Sequence, residues 1–132
     1  MRHLIILATS LLMAYGCLGK EAIPAVTPGN LNANKNLFDK KEVSVKGILL
    51  YETENTALWD VDGNYPNGSP YHCITVLSSS DQSTHLSSLN HKLVVITGIF
   101  SKNFMKPNGI ILGACNVTGI NVISARPAGV GN

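Results

Sequence analysis

Lys92-Leu93-Val94-Val95-Ile96-Thr97-Gly98-Ile99-Phe100 is the strongest strand signal in this chain of 132 residues. Its apolar residues run almost without a break and most are β-branched, which suits a strand covered on both faces. Toward the N-terminus, residues 78–91 are polar, with Asp81 placed to cap one short helix that carries Leu86 and Leu89 on one face. Before it, Tyr71-His72-Cys73-Ile74-Thr75-Val76-Leu77 reads as a third strand and Thr56-Ala57-Leu58-Trp59 as a second. Val43-Ser44-Val45-Lys46-Gly47-Ile48-Leu49-Leu50-Tyr51 reads as the first, with Gly47 marking a bend or bulge. Residues 60–70 between the second and third strands are dense in turn signals, including Asp62-Gly63 and Asn67-Gly68. Toward the C-terminus, a loop through Pro107-Asn108-Gly109 leads to Ile110-Ile111-Leu112 and residues 116–123, which complete the sheet; residues 125–132 are expected to be a loose tail.

The order is three strands, a short helix and two more strands. No internal repeat is present, and no long amphipathic helix is available to cover an open sheet. A sheet without helices on its face must close on itself or pack on a second sheet, so the fold class is all-β, with a barrel or a sandwich as the two solutions.

Residues 1–16 stand apart from this pattern. Arg2 and His3 precede a largely apolar run from Leu4 to Ala14, and small residues end it. A cationic start, a short apolar core and a small-residue ending describe a secretory signal; a membrane span would need roughly 20 apolar residues. Ala14-Tyr15-Gly16-Cys17 resembles the lipobox of bacterial lipoproteins, which implies that Cys17 is acylated and begins the mature chain. Ala14 stands where Leu is usual and Tyr15 where a small residue is preferred, and plain signal-peptidase cleavage after Gly16 is the alternative. Leu18 lacks the acidic character that marks inner-membrane retention in such lipoproteins, which favours the outer membrane. Lipid on Cys17 would leave Cys73 and Cys115 as an even pair in an oxidising compartment; the alternative is two buried, reduced thiols. Residues 17–36, rich in Asn, Gly and Pro, are expected to be a flexible tether, with the folded domain spanning residues 37–124.

Val43, Val45 and Gly47 in the first strand, and Lys92, Val94 and Gly98 in the fourth, resemble the pattern of uncharacterised bacterial exported OB-fold proteins. The resemblance covers about residues 37–124 and implies a five-stranded Greek-key barrel with one short helix between strands three and four. In that topology the third and fifth strands are neighbours, so the resemblance implies that Cys73 and Cys115 are bridged. A β-sandwich is the main rival.

OB-folds commonly bind along their second and third strands and the flanking loops. That habit selects Trp59, Tyr65 and Tyr71 on one side, and Lys102, Phe104 and Lys106 on the other, as candidate ligand- or partner-binding residues. Exposed aromatics between lysines suit nucleic-acid bases or sugar rings. Glu52, Glu54, Asp60 and Asp62 crowd the same edge, however, and would repel a phosphate backbone. From Cys17 onward nine basic residues face eight acidic ones, which is no electrostatic footprint for nucleic acid.

Asp60-Val61-Asp62-Gly63 has the opening of a calcium loop but lacks the glycine position and the closing Glu, so it reads as a turn. His72, His85 and His91 are spaced too irregularly for a metal triad, and neighbouring strand residues His72 and Cys73 face opposite ways. The carboxylates of Glu52 and Glu54 read as strand-end solubility rather than acid–base catalysis. The sequence therefore leads to a non-enzymatic, lipid-anchored, periplasm-facing protein with no cofactor and no metal. Its OB-like barrel would serve as an interaction module for a protein or an envelope component, with oligonucleotide or oligosaccharide binding as the alternative.

Overall fold

The computed structural model describes residues 23–104, 115 and 117–129. The signal segment 1–16, Cys17, the expected strand at residues 110–112 and Lys106 lie outside the described residues. The chain builds β1 (Ala25–Val26), α1 (Pro28–Ala33), α2 (Lys35–Phe38), β2 (Glu42–Glu52), β3 (Asn55–Trp59), β4 (Cys73–Leu77), α3 (Ser83–Ser88), β5 (Leu93–Ser101) and β6 (Gly119–Pro127). A single 3-10 turn precedes each of β4 (Pro70–His72) and α3 (Ser80–Gln82).

The six strands form one OB-like sheet in the order β1-β2-β3-β4-β6-β5, and β5 also pairs with β2, which turns the sheet back on itself. β2 does this because it is long. Glu42 to Ile48 pair antiparallel with β5, while Ile48 to Glu52 pair antiparallel with β3. The sequence reading placed the third and fifth long strands side by side, and β4 and β6 are parallel neighbours, Thr75 opposite Gly119 and Leu77 opposite Asn121. That seam holds three residue pairs, against eight between β5 and β6, so closure is uneven around the sheet.

Alternation places Val43, Val45, Leu49, Leu58, Ile74, Val76, Val94, Ile96, Phe100 and Ile120 in one buried cluster. Leu31 from α1 and Leu86 and Leu89 from the α3 region join it, so the helix face expected around Leu86 and Leu89 is a core face. Two glycines are demanded by close approach. A Cβ on Gly47 would lie 2.4 Å from the carbonyl oxygen of Trp59, and one on Gly98 would lie 2.1 Å from that of Asn121. Gly98 sits where the β5–β6 register shifts: Thr97 opposes Ser124 and Gly98 opposes Val122, leaving Ile123 as the extra residue.

A second, smaller cluster lies on the other face of β3: Leu50, Ala57, Trp59, Cys73 and Cys115, with Tyr65 packed against it. Cys73 and Cys115 form a disulfide, with Cα atoms 5.5 Å apart. A bridge closing a loop of this length contributes about 4 kcal/mol in the chain-entropy model.

Four expectations require correction. The expected tether is folded from Ala25 onward: β1 pairs parallel with Ser44 and Val45 of β2, and Leu31 is fully buried. Thr27 accepts a hydrogen bond from the Asn30 N–H and Pro28 opens α1, a helix start that outweighs the Asn and Gly content around it. The strand count is accordingly six, and the sheet extends to Pro127 rather than stopping at residue 124, because Ala125 to Pro127 pair with Val94 to Ile96. Tyr71 and His72 precede the strand in a 3-10 turn that Pro70 initiates. Ser79, not Asp81, caps the segment before α3, its N–H donating to Gln82 Oε1 at 3.1 Å.

Candidate interaction site

Trp59, Tyr65 and Tyr71, grouped by the sequence reading as one binding surface, have three different fates. Trp59 is 1% exposed, so it is a core residue and not a surface anchor. Tyr65 closes over it, ring centroids 6.3 Å apart at 71°, in an edge-to-face pair. Tyr71 alone stands out, 68% exposed.

Tyr65 is held by a relay of side chains. Its hydroxyl is hydrogen-bonded to His91 Nδ1, and His91 Nε2 lies 3.6 Å from Glu52 Oε1. Burial, and then the negative charge of Glu52, push the Tyr65 phenol above its ordinary value of 10.0, so it stays protonated. His91 has a left-handed backbone, φ 63°, and its N–H donates to Leu49 O at 2.7 Å. This relay ties the 60–72 connection to β2 and lids the outer face of β3 and β4. Glu52 belongs to it, whereas Glu54 occupies the β2–β3 turn in a left-handed conformation, φ 65°.

Tyr71 belongs to a different neighbourhood, built where α1 meets the 3-10 turn before β4. Asn32 on α1 donates to the Tyr71 carbonyl at 2.8 Å and to the Cys73 carbonyl at 2.9 Å, and its own amide oxygen accepts from the Thr118 hydroxyl. Asp60 receives two hydrogen bonds, from the Gly29 N–H at 2.9 Å and from His72 Nδ1 at 2.9 Å. The Asp60 side chain is largely covered, and that of His72 is half exposed. A carboxylate accepts this hydrogen bond, so the imidazole donates it through Nδ1 and is held in one orientation.

Two adjoining recesses share Thr27, Asp60 and His72. One of about 500 Å3 is lined also by Gly29, Asn30, Asn32 and Tyr71. The other, of about 390 Å3, adds Lys46, Val61 and Asp62. The combination offers an oriented imidazole, an exposed phenol ring and a mixed-charge rim, which suits recognition of a polar partner. Among the described residues no three His, Cys, Asp or Glu side chains group closely enough to hold a metal ion. His72 and Cys73 cannot share one in any case, since Cys73 is in the disulfide. Asp60 acts as a structural acceptor, and His85 uses Nε2 to reach Ala125 O at 2.8 Å, fastening α3 to β6.

The second expected group also separates. Lys102 leans on α2, its N–H on Asp39 Oδ1 at 2.9 Å and its Nζ on Asn36 Oδ1 at 3.3 Å. Phe104 is half-buried and lies over Gly119, whose added Cβ would meet the ring at 3.0 Å. Lysine and ring thus serve different elements. The residues that the sequence reading passed over, Thr27, Gly29 and Asn32, carried one readable signal: Thr27-Pro28, a cap followed by proline at the first helical position.

No protein-family model matches the chain, and no curated protein matches it. Among solved structures, the crystal structure of asparaginyl-tRNA synthetase from Pyrococcus horikoshii complexed with asparaginyl-adenylate is similar at a TM-score of 0.42 and 14% identity. The match covers 70% of this chain and 20% of that one, so the chain spans about a fifth of the synthetase's length.

Proposed function

We propose that this chain is a non-enzymatic envelope lipoprotein, anchored through Cys17, whose OB-like Greek-key barrel is an interaction module for a protein or another envelope component. The five long strands follow the barrel order β2-β3-β4-β6-β5 and back to β2. The outer face of β3 and β4, where OB-folds commonly take ligands, is filled by the protein's own Trp59, Tyr65 and disulfide. The observation that carries the reading is the exposed Tyr71 beside the Asp60-oriented His72, on a surface braced from behind by Asn32. Aromatic residues standing on rigid, hydrogen-bonded turns are favoured interface anchors. The disulfide and the signal-like segment 1–16 support an exported location.

The test is a photo-crosslinking side chain at position 71, introduced in the protein in its native envelope. A discrete adduct, lost when His72→Ala is added, is the expected result; diffuse or absent labelling from a folded protein overturns the choice of site. Intact mass before and after reduction tests the anchor separately: residues 17–132 plus lipid is expected, and an unlipidated mass removes it. Against the oligonucleotide or oligosaccharide reading stand the bonds of Lys102 to Asn36 and Asp39 and the packing of Phe104 over Gly119, so that these two described residues serve different elements.

A further inference from the structure

The chain enters its described fold at one end of the barrel, and that end has a distinct composition. α2 presents Leu37, 61% exposed, with Lys35 on the same short helix and Lys40 and Lys41 in the turn that follows, all exposed. Lys102 at the end of β5 is drawn alongside by its bonds to Asn36 and Asp39. The turn is fixed to the barrel edge: Lys40 has φ 64°, its N–H donates to Phe100 O at 2.8 Å, and Lys41 O accepts from the Phe100 N–H at 3.0 Å. Asp39 is the acidic side chain within this group, and it is engaged with the Lys102 N–H; Glu42 lies at its edge, half-buried. Next to the lysines is a largely apolar cleft of about 300 Å3 lined by Ile23, Val26, Phe38 and Val43, with Lys41 and Glu42 also in its lining. Glu52 ends β2 and Glu54 lies in the turn after it, ten and twelve residues beyond Glu42.

We propose that this end of the barrel, α2 with the Lys40–Lys41 turn and Lys102, docks on an anionic phospholipid surface, with Leu37 inserted among the headgroups. The inference rests on the envelope lipoprotein reading for its biological setting, and on charge and chain geometry for its physics. Four exposed lysines and an exposed leucine on adjoining segments suit a negatively charged, apolar-backed surface. Cys17 precedes Ile23 by six residues, which span at most ~20 Å, so a lipid on Cys17 would hold this end of the barrel within reach of the bilayer. The apolar cleft beside Ile23 extends the same contact.

The experiment uses protein purified from its native envelope and carrying Leu37→Trp, reconstituted into vesicles of phosphatidylcholine with or without phosphatidylglycerol. Trp59 is buried and serves as the constant background. On anionic vesicles the residue-37 indole should shift to the blue and lose at least about half its emission to brominated phospholipid. Adding Lys35→Glu and Lys41→Glu, with an unchanged melting temperature, should abolish the quenching while the protein stays vesicle-bound through its lipid. An indole that remains unquenched on anionic vesicles overturns the docking, and intact mass separates the two readings. A lipidated chain with an unquenched indole sinks the docking and spares the anchor. A lipid-free chain that is still quenched sinks the anchor and keeps the docking.

Discussion

Trp59 lies edge-to-face beneath Tyr65, their ring centroids 6.3 Å apart, and Tyr65 is in turn pinned by His91 and Glu52. The outer surface of β3 is therefore an interior. The largest side chain of the second cluster packs on Cys73 and Cys115, and the 60–72 connection acts as its roof. A change at Trp59 is then a stability change, not a surface change.

Trp59→Ala should cost about 3–5 kcal/mol, the range for removing a large aromatic from a closed site. Trp59 Nε1 is buried without a hydrogen-bond partner, so Trp59→Phe loses volume but no hydrogen bond and should cost clearly less. Urea denaturation midpoints of the two variants check the order. Equal losses would mean that the indole nitrogen has a partner.

Removing the Cys73–Cys115 bridge should lower stability by about 4 kcal/mol, because the cross-link closes a separation of 42 residues. Cys73→Ala with Cys115→Ala, compared with the wild type under non-reducing conditions, measures it. A loss below about 1 kcal/mol would mean that the unfolded chain is little constrained by the bridge.

Asn32→Ala withdraws the donor from two backbone carbonyls and the acceptor from Thr118, which is itself 2% exposed. The expected cost is about 1–3 kcal/mol, with hydrogen exchange accelerated first in residues 28–33, since Asn32 clasps α1 to β4. Uniform acceleration across the barrel would contradict a local clasp.

The raised Tyr65 phenol predicts an alkaline limit. The folded state binds this proton more tightly than the unfolded state, so the associated stability is fully present below the ordinary value of 10.0 and is lost as pH rises through the folded value above it. Stability should be flat with respect to this group from neutral pH to about 9, then fall. Tyr65→Phe should flatten the alkaline limb measured by denaturant titration; an unchanged limb would assign the loss to other groups.

The strands were legible because each long one carries its own period. Val43 and Val45 alternate with Ser44 and Lys46, and Leu93 to Phe100 is nearly continuous in apolar residues. Leu86 and Leu89 marked the inward side of α3 for the same reason, and the bridge between Cys73 and Cys115, which the OB-fold resemblance implied, is present. Residues 25–38 were not legible as structure. Their Asn and Gly content matches a tether, and the one contrary signal, Thr27-Pro28, is short. Leu31 has no apolar periodicity around it, and only the open end of the barrel gives it something to fill.

Sequence alone therefore determined the all-β class and the places of the long strands, since these follow from local periodicity, whereas the pairing of Cys73 with Cys115 was implied only by the resemblance to exported OB-fold proteins. Tertiary structure decided which aromatics are surface. Trp59 and Tyr71 flank the same turn-rich segment and read alike in the chain, yet one is 1% and the other 68% exposed. That difference is made by the Tyr65–His91–Glu52 roof and by α1 docking through Asn32, contacts between residues 26 to 41 positions apart. Burial of a side chain depends on what covers it, and no local pattern encodes a cover that arrives from elsewhere in the chain.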